Sequence, residues 1–481
     1  MPTAVVIGGG ISGLSSAYYL KKSAKFSKII ILEASNRVGG WIKTVTSEGG
    51  AKMELGPRSL RATGIPAGFN SLCLIEDLGL SKDVIHVSRH EPAAQNRFIY
   101  AKGALHKLPN KFSAFFKKQA PFSAPLFLHS FRDILTKPSE LEDESVYDFV
   151  TRRFHAELAE FAVDPLCRGI FAGDCRKLSL HSCFPLLREA EKVGGGPVIK
   201  GLLKISRRPI PPRRQSTLFD TMRKETWSAF SFRQGLQTLP ETLRDSLTSS
   251  QGVELVLDTP CSEVMFDDGK AKIVINGETL DADHVVSSIF APDFASLLNQ
   301  EQQNLKENLS KISAVNAVVV CVEFDGQVVP PTPGFGHLLP SSEDKAVLGV
   351  IYDSCTFPTH DRTDRPGSRY TIMLGGAWFD DLKAVVPSMT DGALGQYAVK
   401  ALQKHLGFTQ TPTKIKVEVM KNCIPQYFIG HENILEDVFA EIRAERLPLS
   451  LVGSSYRGPS IHDCMNNARV EIERVTGASL L

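Results

Sequence analysis

Gly8, Gly9, Gly10 and Gly13, with Ile11 and Ser12 among them, stand directly after the apolar run Ala4-Val-Val-Ile7 and before Leu14-Ser-Ser-Ala-Tyr-Tyr-Leu20. Glu33 closes the next apolar run, Ile29-Ile-Ile-Leu32. The spacing is that of a strand, a glycine turn, a helix, a second strand and an acid. In such a unit Gly8 permits the tight turn, Gly10 lets backbone approach a pyrophosphate, and Gly13 lets helix and strand pack closely. The phosphates rest on unpaired N–H groups at the helix start, and Glu33 can accept hydrogen bonds from a ribose hydroxyl. Dinucleotide binding is the chemistry these residues predict. Beyond the acid, Arg37-Val-Gly39-Gly40-Trp41 offers a cation for a second phosphate contact and another close backbone approach. A nicotinamide enzyme has no use for that extension.

A second glycine turn, Gly453-Ser-Ser-Tyr-Arg-Gly458-Pro459-Ser-Ile-His-Asp463, lies near the other end of the chain. It follows a predicted strand, Leu449-Ser-Leu-Val-Gly453, and precedes a predicted helix over 461–475. Pro459 and Ser460 suit the first turn of that helix. Its positive end would stabilise the anionic N1–C2 carbonyl edge of a reduced flavin. Taken alone the turn could be a helix cap. Together with the N-terminal unit it brackets one long ligand, as FAD requires.

Several elements must position these residues. Strand-like patterns fall at 253–257, 263–266, 272–275 and 284–288, the last reading as a strand that rejoins the dinucleotide sheet. Further strands at 317–324, 346–352, 370–374 and 416–420 suffice for a second, mostly β domain. Residues 140–154 and 155–166 read as helices. The predicted division is an FAD-binding domain assembled from 1–90, 225–300 and 420–481, a helical and substrate-lining region over 91–224, and a substrate-binding β domain over 301–419. Arg207-Arg-Pro-Ile-Pro-Pro-Arg-Arg214 reads as a solvated basic loop.

The chain has 481 residues and a net charge of +2, with 42% hydrophobic and 22% charged residues. That is ordinary for a soluble globular protein, and the balanced charge argues against a nucleic-acid partner. The nine cysteines are scattered with no CxxC, so buried reduced thiols are expected rather than disulfides or zinc. His86 and His90 fall on an extended pattern, too far apart for one ion, and no metal is expected. No GxSxG, HExxH or Walker lysine is present, which removes hydrolase and ATPase readings. The longest uncharged apolar run, 314–322, is too short to cross a bilayer. No presequence precedes the first strand, so any organelle address is expected to be internal. Between Arg97 and Lys137, phenylalanines at 112, 115, 116, 122, 127 and 131 alternate with lysines and arginine. Two readings stand: a helical core with solvated lysines, or a surface whose phenylalanines enter lipid while lysines meet headgroups.

The Arg37–Trp41 string resembles the second fingerprint of the flavin-dependent amine oxidase and desaturase superfamily. Trp41 stands where amine oxidases proper carry an arginine. Over essentially its whole length the chain closely resembles the animal-type protoporphyrinogen IX oxidases. The resemblance rests on Gly8–Gly13, Arg37–Trp41, Glu54-Leu-Gly-Pro-Arg58, Ala93-Ala-Gln-Asn-Arg-Phe98, Leu166-Cys-Arg-Gly-Ile-Phe-Ala-Gly173, Gly334-Phe-Gly-His-Leu338, Pro340-Ser-Ser-Glu-Asp344, Met373-Leu-Gly-Gly376, Lys421-Asn-Cys-Ile-Pro-Gln-Tyr427 and the Gly453–Asp463 turn. It implies an α/β, multi-domain architecture of p-hydroxybenzoate hydroxylase type: a Rossmann-like FAD domain, a mostly β substrate domain and a helical membrane-associated part.

Carried over by residue, the resemblance assigns Gly8, Gly9, Gly10, Ile11, Ser12 and Gly13 to the FAD pyrophosphate turn. Trp41, Gly56, Pro57, Arg58 and Ser59 would line the flavin, and Arg58 is the candidate for a catalytic part. Cys261 takes the place of the strand residue whose backbone meets adenine. Ser454, Pro459, Ser460 and Ile461 would close over the isoalloxazine. For substrate, Arg97 resembles a propionate partner, Gly169 a backbone contact to a pyrrole N–H, Phe335 and Leu338 apolar walls, and Met373 a neighbour of the ring. Phe335 and Leu338 also read as plain core, and Arg58 as an ion-pair partner. No general base is evident, and with dioxygen reoxidising non-covalently held FAD no metal is called for. The resemblance further implies protoporphyrinogen IX as substrate, hydrogen peroxide as by-product and a role in haem synthesis. It also implies peripheral attachment to the mitochondrial inner membrane, a homodimer and contact with ferrochelatase. A flavin amine oxidase, or a binding protein like the GDP-dissociation inhibitors, are the rival readings.

Overall fold

The first strand, Thr3–Ile7, sits at the centre of a five-stranded sheet in the computed structural model, which describes residues 2–62, 66–110, 112–207 and 214–481. The order is Val253–Val256, Lys28–Leu32, Thr3–Ile7, His284–Ser287, Leu449–Leu451, and every pairing is parallel. A parallel sheet is covered on both faces, which is why its strands read as near-continuous apolar runs. Ala4 and Val6 face the helices Ile11–Ser23 and Ile461–Thr476 through Leu14, Met465 and Ile472. Val5 and Ile7 face the other layer, where an antiparallel meander (Cys261–Asp267, Lys270–Ile275, Glu278–Ala282) packs beside helices carrying Leu305, Leu309, Leu435 and Val438.

A seven-stranded sheet forms the second domain, in the order Lys414–Pro425, Ala314–Asp325, Gly367–Gly376, Val347–Ile351, Gly336–Leu338, Arg97–Ala101, Ala104–Lys107. All its pairings are antiparallel except that of Gly336–Leu338 with Arg97–Ala101. Alternation divides its residues between two faces. Val318, Val320, Val322, Ile372 and Leu374 pack outward on Leu394, Ala398 and Leu402 of the helix Asp391–Leu406. Ala317, Val319 and Cys321 point inward and meet Met53 and Leu55 of the FAD domain.

The predicted boundaries shift in three places. Arg97–Lys107 is not part of the helical region but a hairpin of the substrate sheet, turned at Lys102 and Gly103, both at positive φ. Residues 420–425 continue the last strand of that sheet, and Leu305 and Leu309 belong to the core of the FAD domain. The helix expected over 140–154 begins only at Val146, because Ser145 caps it by accepting the Asp148 N–H at 2.9 Å. Helical structure then runs through 156–171 with a π-turn at Ala159–Val163, followed by Pro185–Gly194 and Val198–Ser206. Residues 208–213 of the basic loop lie outside the described residues, and Arg214 pairs with Asp77 at 2.7 Å. The nine cysteines are free thiols, six of them buried, in line with expectation.

Candidate flavin and substrate site

Gly8, Gly10 and Gly13 lie at the turn between the first strand and the first helix. Gly8 turns at φ 103°, Gly10 caps the helix Ile11–Ser23, and a Cβ on Gly13 would run into the carbonyl oxygen of Gly8. Ser288, which the sequence did not mark, holds Oγ 2.9 Å from the Ile7 carbonyl and 3.1 Å from that of Gly8. Glu33 accepts hydrogen bonds from the Gly9 N–H at 2.7 Å, the Ser35 N–H at 2.9 Å and the Ser35 hydroxyl at 2.6 Å. The acid is thus fixed beside the turn with one lone-pair site, on Oε2, left for a ribose. Thr259 donates its N–H to the Glu33 carbonyl at 2.9 Å, which brings Cys261, two residues on, to the same end.

Arg37 differs in part from expectation. Its Nη1 donates to the carbonyls of Val38 and Ile42, both at 3.1 Å, and its Nη2 to that of Gly40. The side chain therefore braces the Gly39-Gly40 loop, which lies against Gly10 through the Gly10–Gly39 bridge. Of five guanidinium hydrogens two remain for a phosphate. Trp41 is half exposed, and a Cβ on Gly56 would meet its carbonyl oxygen, so the two flavin-lining strings touch through backbone.

At the C-terminal turn, Ser460 and Asp463 form a reciprocal capping box on the helix Ile461–Thr476. Gly453, at φ 107°, lies beside Ser12 and Ser288, so this turn and the first one are in contact. Tyr427 fixes it by donating its hydroxyl to the Ser454 carbonyl at 2.5 Å. Pro459, Ser460 and Ile461 thus stand at the start of a helix whose preceding turn touches the Gly8–Gly13 turn. A ligand that touched both turns, Glu33 and the irregular Gly56–Ser59 segment would have to be long, and FAD, with its pyrophosphate at the N-terminal turn, fits those residues.

Arg58 is found in an ion pair. Its Nη1 is 3.2 Å from Asp353 Oδ1, both side chains are largely buried, and Thr371 donates to the second oxygen of Asp353 at 2.7 Å. Arg58 therefore links the irregular segment 55–59, between the short strands Lys52–Glu54 and Leu60–Arg61, to the substrate sheet, and the catalytic part expected of it has no geometric support beyond that location. Pro57 and Ser59 flank it. Glu54, three residues before Pro57, is buried. It accepts from the Leu236 N–H at 2.7 Å and from Thr44 Oγ1 at 2.8 Å, and burial raises its pKa from 4.5 to about 7 against the pull of those donors and of Arg58.

The substrate candidates come together on the inner face of the second sheet. Met373 pairs with Gly349, Gly349 with Leu338 and Leu338 with Ile99, so one cross-strand row carries Met373, Leu338 and Ile99. Gly349 leaves the gap in that row, and a Cβ there would lie 2.7 Å from Leu338. Gly169, on the helix Asp164–Phe171, closes on the same leucine: a Cβ would sit 2.9 Å from its methyl. Arg97 pairs with Gly336 in the next register position, and its guanidinium lies 5.9 Å from the Phe335 ring. Partial burial, then the positive charge of Arg61, lower the pKa of Arg97, and among the described residues it has no carboxylate partner. Phe335 is anchored by backbone, its N–H to the Asn96 carbonyl at 2.9 Å and its own carbonyl to the Tyr352 N–H at 3.0 Å.

Asp353, Thr371 and Arg168 were not marked in advance. Arg168 is buried, stacks 4.2 Å over Trp378 and donates to the carbonyls of Asp344, Lys345 and Val347 at 2.7, 3.1 and 2.7 Å. It pins the Gly169 helix to the sheet, and burial lowers its pKa to about 10. The Leu166–Gly173 string was the signal that could have shown it.

Two glycine turns in contact with each other, beside a mostly antiparallel sheet with an apolar inner face, are the arrangement of a flavin-dependent oxidoreductase. The chain belongs to the flavin-containing amine oxidoreductase family, which matches residues 11–469. It is 42% identical to protoporphyrinogen oxidase of Bos taurus over 476 residues, 99% of this chain and 98% of that one. Coproporphyrinogen III oxidase of Staphylococcus aureus is 26% identical over 483 residues, 98% of each chain. A solved structure from Exiguobacterium sp. 255-15 shares the fold at a TM-score of 0.78 and 23% identity, over 99% of this chain and 98% of that one.

Proposed function

We propose that this chain oxidises protoporphyrinogen IX to protoporphyrin IX in haem synthesis, with non-covalently held FAD as cofactor, dioxygen as final acceptor and hydrogen peroxide as by-product. The conversion removes six hydrogens from the macrocycle, so three dioxygen molecules take up six electrons and six protons. FAD, when bound, supplies the two-electron acceptor for each step. The observation that carries the reading is the row Met373–Gly349–Leu338, an apolar floor with Gly169 above Leu338 and with Arg97 on the same strand as the buried Ile99 that ends the row. A porphyrinogen is a broad apolar ring with two carboxylates. Burying it on that floor gains about 25 cal/mol per Å² of apolar surface, and Arg97 offers a planar fork to one propionate. Leu338 and Met373 exclude water, and Arg97 fixes which edge of the ring faces the flavin. Orientation and the cofactor then carry most of the rate.

The deciding experiment is anaerobic mixing of the yellow protein with protoporphyrinogen IX, following flavin absorbance and porphyrin fluorescence together. Loss of flavin colour with a rise in porphyrin fluorescence is expected. A colourless protein, or flavin that bleaches only with amines, overturns the reading. Coproporphyrinogen III, with four carboxylates against one well-placed arginine, is expected to react more slowly.

The same proposal includes attachment to the surface of the mitochondrial inner membrane. Among the described residues no helix is long and apolar enough to cross a membrane. Among the described residues, twelve of the twenty-one exposed large hydrophobics fall between Phe115 and Leu203, which supports attachment through this region. Phe115 and Phe116 are exposed, while Phe122 packs into a core with Ile99 and Phe161, so each reading of the Phe/Lys segment accounts for part of it. The helix Leu126–Leu135 exposes Leu128, Phe131, Ile134 and Leu135. Phe131→Ser with Leu135→Ser should release the protein from anionic liposomes while turnover in detergent persists. Unchanged flotation refutes the attachment. The homodimer and the ferrochelatase contact are carried with it, and sedimentation of the protein alone and mixed with ferrochelatase tests both.

A further inference from the structure

Away from the flavin and substrate surfaces, three side chains from two separate parts of the helical region converge on one point. His129 lies on the helix Leu126–Leu135, on the side opposite its exposed apolar residues. Its ring is 8% exposed, and its Nε2 has no hydrogen-bond partner. The ring of His155 is 4.8 Å away, centroid to centroid. Glu157 completes the group, and one ligand atom from each of the three lies within 4.8 Å of the others. Ser123 fixes the Glu157 carboxylate by donating its N–H at 3.0 Å and its hydroxyl at 2.8 Å to Oε2, which leaves Oε1 to face the histidines.

A buried imidazole nitrogen left without a partner costs about 1–3 kcal/mol. Nothing in the proposed oxidation uses His129, His155 or Glu157. We propose that these three residues bind one divalent first-row cation, best Zn²⁺, with water as the fourth ligand. Two imidazoles and one carboxylate are the donor set of a three-ligand zinc site. Mg²⁺ and Ca²⁺ take oxygen ligands and would leave the histidines unused. Bonds of about 2.0–2.1 Å at tetrahedral angles set ligand atoms about 3.4 Å apart, so separations of up to 4.8 Å must close by up to about 1.4 Å. His155 is exposed and can make that movement. Its Nδ1 accepts the Glu157 N–H at 3.2 Å, and coordination through that nitrogen frees an amide that water can take at the exposed helix start.

The ion would fasten the helix that presents Phe131 and Leu135 to the helical run 156–171, which carries Gly169 over the substrate floor. The expectation of a metal-free chain came from local spacing, and this group escapes it because His129 is far in sequence from its partners.

Chelator-treated holoenzyme is titrated with ZnCl₂ by calorimetry, and with CoCl₂ as a visible probe at wavelengths beyond the flavin bands. One Zn²⁺ per chain is expected, with intense tetrahedral Co²⁺ bands. His129→Gln and Glu157→Gln should each weaken binding by more than the roughly 10–100-fold that loss of a mere outer-shell partner causes. Flavin content and turnover without added metal should stay unchanged. His86→Gln, an exposed histidine 3.7 Å from Glu225, serves as control and should bind as the parent does. If His129→Gln does not fold, His155→Gln, whose ring is at the surface, carries the same expectation. Absence of Zn²⁺ binding, or binding that survives His155→Gln and Glu157→Gln, overturns the proposal. Because the readout is metal binding, it is independent of whether the chain oxidises a porphyrinogen.

Discussion

Glu54 makes the stability of this protein depend on pH in a direction that can be worked out. Its carboxyl is buried two residues before Gly56, and its pKa stands at about 7 instead of 4.5 because burial outweighs the Leu236, Thr44 and Arg58 contacts. In the folded chain it keeps a proton that the unfolded chain has already released between pH 4.5 and 7. The folded state therefore binds more protons in that window, and stability falls as pH rises through it. The contribution is fully present below 4.5 and is lost as pH passes about 7. At about 1.4 kcal/mol per pH unit the loss amounts to about 3 kcal/mol. Glu54→Gln mimics the protonated acid: its amide oxygen can accept from the Leu236 N–H and its NH₂ can donate to Thr44 Oγ1. Thermal unfolding of the two holoproteins should agree at pH 5, and the parent should melt clearly below Glu54→Gln at pH 8. A difference between them that does not change with pH refutes the reasoning, as does a variant that loses stability in parallel with the parent. Arg58→Met, which removes the cation favouring the anion, should shift the parent's inflection further up.

Gly13→Ala should yield protein with little bound flavin, since its Cβ would occupy the space of the Gly8 carbonyl; a normal flavin-to-protein absorbance ratio in a folded variant refutes this. Arg97→Ala should keep FAD and fold but raise KM about ten- to a hundred-fold, the equivalent of a charge-assisted hydrogen bond worth about 1.5–3 kcal/mol. Esterified porphyrinogen should lose affinity for the parent and little more for Arg97→Ala, whereas independent, additive losses would show that Arg97 touches something else. Arg58→Met should cost about 3–5 kcal/mol by leaving Asp353 buried and unpaired, and Asp353→Asn should restore part of that loss when added to it; additive losses in the thermal double-mutant cycle refute the bridge.

What was legible in the sequence was what is local. A turn that must bring phosphate to backbone needs glycine at fixed offsets, and a parallel sheet covered on both faces needs continuous apolar runs, so Gly8–Gly13, Glu33 and the strands at 28–32, 284–287 and 449–451 could be read without a partner in view. The Arg97–Lys107 hairpin could not, although Lys102-Gly103 carries the two positive φ values of a tight hairpin turn. Its strand is completed by a parallel pairing with Gly336–Leu338, more than two hundred residues away, and without that partner a short Phe/Tyr-rich segment beside lysines reads as easily as helix. Arg58 shows the same limit from the side of chemistry. Its role depends on whether a carboxylate lies within reach, and Asp353 arrives on a short helix, Asp353–Thr356, whose sequence names no partner. The same is true of His129 and His155, which are ordinary histidines until the fold sets their rings together. The bridge also explains why a motif of the FAD domain and a strand of the substrate domain resemble one family jointly. Glu54-Leu-Gly-Pro-Arg58 is held in place by Asp353 and Thr371, and Thr371 lies two residues before Met373 on the strand that floors the substrate. A change at either end would therefore be felt at the other. The 55–59 segment and the second sheet are joined by the Arg58–Asp353 ion pair and, beside it, by Arg369 donating to the Lys52 carbonyl at 2.8 Å, contacts that neither motif predicts alone.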